Sequence, residues 1–122
     1  MDKIIVGGLK LFAYHGVNPE EQEDGQTFVL DIEAYMDLKN AGESDALEDS
    51  VSYAQIIKCA RRVFTEQKDK LIERAARRVA LALLEEFPPL EGVKVTLKKP
   101  DAPMKADFDF AAVSITVDRN EL

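Results

Sequence analysis

Apolar residues recur at Ile72, Ala76, Val79, Ala80 and Leu83, the spacing of one helix face, while other stretches of the chain alternate in and out like strands. Residues 3–14 form a long extended pattern with Gly7-Gly8 at its middle, where glycines mark a bulge or a close backbone approach. Across residues 26–37, Phe28, Leu30, Ile32, Ala34 and Met36 share one face, with Asp31, Glu33 and Asp37 on the other. Two closing strands follow the same rule. Val93, Val95 and Leu97 alternate with Lys94, Thr96 and Lys98, and Ala111, Val113, Ile115 and Val117 alternate with Ser114 and Thr116.

The connections read as follows. Residues 15–26 form a polar loop with turn signals at Asn18-Pro19 and Asp24-Gly25, and the acidic residues 40–50, with Gly42, form another. Ser52 and Gln55 fit a capping box opening a helix that runs to about Glu66, with Ile56, Ile57, Ala60, Val63 and Phe64 inward. Asp69 is the expected N-cap of the second helix, which Pro88-Pro89 ends near Phe87. The order ββααββ with short connections implies an α+β fold: a four-stranded antiparallel sheet with both helices on one face. Such a sheet has two open edges, a liability unless another copy pairs with them, so a homo-oligomer is expected.

The totals narrow the function. The 122 residues fit a single domain, 1–122. A net charge of -7 gives no basic stripe for phosphate neutralisation, which argues against nucleic acid. With 1 Cys and 1 His there is no internal disulfide and no thiolate or paired-His metal motif, so neither a metal nor another cofactor is expected. No apolar run has membrane-spanning length and Met1-Asp2-Lys3 begins no signal pattern, so no membrane association and a cytoplasmic location are expected.

The candidate chemistry is sparse. Glu73 in the first turn of the second helix either complements the helix dipole or offers two oxygens to the paired N–H donors of a planar heterocycle. Glu21 is either a solvated loop charge or a functional carboxylate. Tyr53 opens the first helix, either as a packing residue or as a phenolic acid or base. Strand parity puts Lys99 with Val93, Val95 and Leu97 on the apolar side, where it must snorkel, pair or line a pocket, unless the strand frays first. His15, the lone imidazole, reads more simply as a structural residue bonded to backbone than as a catalyst. No nucleophile elbow, P-loop or GxGxxG occurs.

Four segments in order carry a resemblance along essentially the whole chain: Tyr14-His15-Gly16 with Glu21 and Gly25-Gln26; Asp49-Ser50-Val51-Ser52-Tyr53; Leu71-Ile72-Glu73; and Lys99-Pro100 with Ala102-Pro103. The chain resembles the dihydroneopterin aldolase family. That resemblance implies a tunnelling fold whose tetramers close into a barrel and stack as octamers, with sites between adjacent subunits. It implies that Glu73, beside Leu71 and Ile72, anchors a pterin ring, and that Lys99, Glu21 and Tyr53 carry the proton transfers. The implied reaction is retro-aldol cleavage of 7,8-dihydroneopterin, without metal or cofactor, to 6-hydroxymethyl-7,8-dihydropterin and glycolaldehyde in folate synthesis. The alternatives are an epimerase of dihydroneopterin or its triphosphate, and a non-catalytic pterin- or purine-binding member of the fold. The chain departs from the family pattern at Met104-Lys105-Ala106, where members commonly read Ile-Pro-Gly, and at Phe110-Ala111-Ala112, where Tyr and Gly are common.

Overall fold

The computed structural model describes residues 1–122. Strands β1 (Lys3–Ala13), β2 (Gln26–Tyr35), β3 (Gly92–Lys99) and β4 (Ala111–Asp118) lie side by side in chain order, every neighbouring pair antiparallel. Helices α1 (Pro19–Asp24), α2 (Lys39–Ser44), α3 (Tyr53–Thr65) and α4 (Ile72–Glu86) complete the chain, with 3-10 turns at Leu47–Asp49 and Arg119–Glu121. The two long helices sit on one face of the sheet, α3 over β1 and α4 over β3 and β4. The fold is the α+β arrangement that the alternation predicted. The short helices are additions: α1 lies inside the expected 15–26 loop, and α2 and a 3-10 turn occupy the expected 40–50 loop.

Period-two alternation produces the core directly. Phe28, Leu30, Ile32 and Ala34 from β2 and Val93, Val95 and Leu97 from β3 point under the helices and are buried. They meet Ile56, Ala60 and Phe64 of α3 and Ala76, Val79, Ala80 and Leu83 of α4. The other sheet face is polar and braced by ion pairs: Lys3–Glu33 at 2.5 Å, Lys98–Asp31 at 2.9 Å and Lys94–Glu33 at 3.7 Å. The glycine pair in β1 forms a bulge, because the register slips between Val6 and Leu9. Gly8, at φ 68°, donates its N–H to the Asp31 carboxylate at 2.8 Å, which fixes the bulge in place. β1 and β4 each have one neighbour, so both sheet edges are open in the single chain.

Two expected caps are not formed. Ser52 precedes α3, yet its hydroxyl makes no capping bond. Asp69 does not cap α4; the N-cap position belongs to Leu71, which has no polar side chain. Asp69 is instead turned inward, where a guanidinium outcompetes the helix N–H groups for its carboxylate (below).

The far end of α4 is closed by Arg119, whose guanidinium donates to the carbonyls of Leu90 at 2.6 Å, Leu84 at 2.8 Å and Phe87 at 3.0 Å. A cation there satisfies carbonyls that the helix leaves free and complements its dipole. Arg119→Met should therefore lower unfolding free energy by about 2 kcal/mol, seen as a lower urea midpoint at unchanged slope.

Candidate active site

β1 and β3 both run antiparallel to β2, so Ala13, Gln26 and Lys99 gather at one end of the sheet. Lys99 projects to the helix side, as its parity dictates, and its side chain is only 13% exposed. There it meets the carboxylate of Glu21 in a close ion pair. Glu21 is buried, not a solvated loop charge, because α1 turns it inward. Its Oε1 accepts the Asn18 N–H at 3.3 Å and its Oε2 accepts from the Gln26 amide at 3.0 Å. Burial pushes the Glu21 pKa up, but the Lys99 ammonium, the Asn18 N–H and the Gln26 amide outweigh it and hold the carboxyl below its ordinary range. Gln26, which sequence reasoning did not single out for chemistry, orients Glu21 through its amide N–H, while its own Oε1 is buried without a partner.

His15 lies at the same sheet end and is fully buried. Its Nδ1 accepts the Asp69 N–H at 2.9 Å, so Nε2 carries the proton and donates to the Phe64 carbonyl at 2.8 Å. Both ring nitrogens are thus committed to backbone, and the ring packs against Phe28 and Phe64. Burial pushes its pKa down.

The same bonds bring the start of α4 to this end. Gly16 donates to the Asp69 carbonyl at 2.9 Å. The Asp69 carboxylate accepts from Arg78 through Nε at 2.8 Å and Nη2 at 2.5 Å, and from Gln67 at 2.8 Å. Burial alone would raise the Asp69 pKa, but Arg78 and Gln67 outweigh it and hold it below its ordinary value. Leu71, Ile72 and Glu73 follow immediately, with Leu71 and Glu73 exposed and Ile72 half-buried. A groove of about 580 Å³ runs along this connection, lined by Val17, Gln67, Lys68, Asp69, Lys70, Leu71 and Arg74. Its three cations form a basic group beside Glu73 that the overall acidity of the chain hides.

Tyr53 is not part of this cluster. The last turn of α3 is held at the His15 end through Phe64, so its first residue lies toward the opposite end. At 1.5 Å per residue, Tyr53 is about 16 Å along the axis from Phe64, with its side chain 67% exposed. A single protomer therefore holds Lys99, Glu21 and the Leu71–Glu73 segment together and Tyr53 apart. The Met104-Lys105-Ala106 segment is exposed, and Phe110 lies 5.2 Å beneath the Lys98 ammonium. No three His, Cys, Asp or Glu side chains converge as a metal-ligand set, and no helix is long and apolar enough to cross a membrane.

Comparison with known proteins adds the family. The family model described as dihydroneopterin aldolase (FolB) matches residues 4–116. Dihydroneopterin aldolase 2 of Arabidopsis thaliana is 44% identical over 119 residues, covering 97% of this chain and 91% of its own length. A dihydroneopterin aldolase of Streptococcus pyogenes is 40% identical over 119 residues, covering 98% of each chain. The crystal structure of E. coli dihydroneopterin aldolase in complex with neopterin superposes with a TM-score of 0.87 at 32% identity, covering 96% of this chain and 99% of that one.

The buried His15 makes stability depend on pH. Its folded pKa lies below the ordinary 6.5, so below that pH the unfolded chain binds a proton that the folded chain refuses. Stability is retained above pH 6.5 and falls as pH drops below it. Urea unfolding should show this fall as pH drops below 6.5, and His15→Gln should flatten it whatever its absolute stability.

Proposed function

The chain belongs to the dihydroneopterin aldolase family, lyases with the tunnelling fold, and from that premise we propose how its residues divide the work of cleaving 7,8-dihydroneopterin. The observation that carries the proposal is the buried Lys99–Glu21 pair beside the exposed start of α4. Glu73 offers a carboxylate to the amino and ring N–H groups of the pterin, a two-point match. Leu71 supplies no side-chain cap, so the first-turn N–H groups of α4 are free to face the ring carbonyl beside those donors. Leu71 and Ile72 give the ring an apolar border.

Protonation of the ring at N5 turns the substrate into its own electron sink. Removal of the proton from the C2′ hydroxyl then lets the C1′–C2′ bond break, releasing glycolaldehyde and leaving an enamine. Protonation of that enamine at C1′ and loss of the N5 proton give 6-hydroxymethyl-7,8-dihydropterin. No Schiff base or metal is required for the carbanion, and no cofactor enters the balance. Lys99 and Glu21, with water, move these protons, a role that their buried contact supports.

Tyr53 supplies its phenol from a neighbouring protomer. Its separation from Lys99 within one chain, together with the open edges of β1 and β4, supports a homo-oligomer, tetramer or stacked octamer, with sites between subunits. The substrate is small and water-borne, which fits a cytoplasmic enzyme.

Two measurements test this division. Incubated with 7,8-dihydroneopterin in chelator, the protein should form 6-hydroxymethyl-7,8-dihydropterin. Lys99→Ala should lose about 10²-fold or more in turnover while still binding neopterin, whereas Glu73→Ala should lose the binding itself. Equal loss of binding in both would overturn the assignment, and an epimer as the sole product would move it to the neighbouring activity. Secondly, inactive Lys99→Ala and Tyr53→Phe proteins, unfolded together and refolded as mixed oligomers, should regain activity at roughly a quarter of the shared sites. No recovery in confirmed heteromers would place Tyr53 and Lys99 in the same protomer's site.

A further inference from the structure

We infer that Gly16 is a positioning residue for the proton-transfer carboxylate: its missing side chain is the space through which Glu21 reaches Lys99. A Cβ built at Gly16 would lie 2.5 Å from Cδ, 2.6 Å from Cβ and 2.7 Å from Oε1 of Glu21. These are separations that carbon and oxygen do not tolerate, so any side chain at residue 16 must displace Glu21 or be displaced by it.

Gly16 cannot easily yield. It is buried, its N–H is bonded to the Asp69 carbonyl at 2.9 Å, and its carbonyl accepts the Gln22 amide at 2.8 Å. Its predecessor, His15, is locked to the Asp69 and Phe64 backbone. Glu21 is the softer partner, because α1 is only six residues long and is bordered by loop on its first side. The displacement therefore falls on the carboxylate, and the bonds it loses are those to Lys99, Gln26 and the Asn18 N–H. Gly16 touches none of the reacting groups except through Glu21, which is why its effect should be confined to the steps Glu21 carries.

This inference rests on the reading of Lys99–Glu21 as the proton-transfer pair, and the experiment separates the two. Turnover of 7,8-dihydroneopterin and binding of neopterin are measured for Gly16→Ala, Glu21→Ala and the double variant. Gly16→Ala should reduce kcat at least tenfold with neopterin affinity within about twofold of the parent. Added to Glu21→Ala, it should change the residual kcat by less than about twofold, because the Cβ contact remains but there is no carboxylate left to misplace. Full turnover in Gly16→Ala, or the same fractional loss in both backgrounds, overturns the inference. Full turnover in Glu21→Ala overturns the reading beneath it, whatever Gly16→Ala does. Should Gly16→Ala fail to fold, pairing it with Glu21→Gly, which removes both clashing groups, should recover folded, neopterin-binding protein; failure of that rescue also overturns the inference.

Discussion

One buried carboxylate holds the site end of the molecule together. Asp69 has a side chain only 2% exposed and would be costly to ionise there alone. Arg78 meets it with a two-nitrogen fork and sends a third N–H to the Val63 carbonyl at 2.7 Å, so one guanidinium ties the α3–α4 connection to the end of α3. The backbone of Asp69 then reaches the loop that follows β1, donating to His15 and accepting from Gly16. The loop after β1, the end of α3 and the middle of α4 meet at this residue. Both parts of the proposed site lie beside it: the start of α4 with Glu73 on one side, and Gly16, packed against Glu21, on the other.

This explains why an aspartate with good capping propensity leaves its helix uncapped. A cap bond from a carboxylate to helix N–H contributes about 1 kcal/mol, whereas a buried, charge-assisted pair is far costlier to break once one partner is removed. Asp69 therefore serves Arg78, and the α4 N-terminus is left with Leu71 and open N–H groups. For the binding role proposed for Glu73 the missing cap is a gain, because unsatisfied donors beside that carboxylate are the pattern that a heterocycle with adjacent N–H and carbonyl groups requires.

Much of this was legible in the sequence, and the boundary is physical. Alternation in 26–37 and in the two closing strands, and the 3.6 period from Ile72, depend on local burial alone, so the sheet and both long helices could be read from them. Strand parity likewise placed Lys99 on the helix side. Glu21 could not be read as buried from its acidic neighbours, since its partner lies 78 positions away on β3 and only the closed sheet brings them together. The Asp69 cap failed for a related reason: local propensity speaks for the isolated turn, and the Arg78 guanidinium decides the folded one. The basic groove beside Leu71 was masked by a net charge of -7, a sum that says nothing about where charges sit. Gly16 stood in a recognisable motif, but its reason for being glycine is a contact with a side chain five residues on.

The Lys99–Glu21 pair also suits, energetically, the role proposed for it. Moving a proton in a poorly solvated site is expensive when it creates or destroys a net charge. Passing a proton from ammonium to carboxylate turns a charged pair into a neutral one and leaves the sum of charge unchanged. In the role proposed for it, the pair takes a proton at one atom of the substrate and returns one at another while its own total charge changes by no more than one at any step. The Lys99 ammonium, the Asn18 N–H and the Gln26 amide keep the carboxylate ionised despite its burial, so in the proposed cycle the pair begins in the form that can accept. On the role inferred for Gly16, the geometry there decides whether that acceptor stands close enough to its lysine to be used.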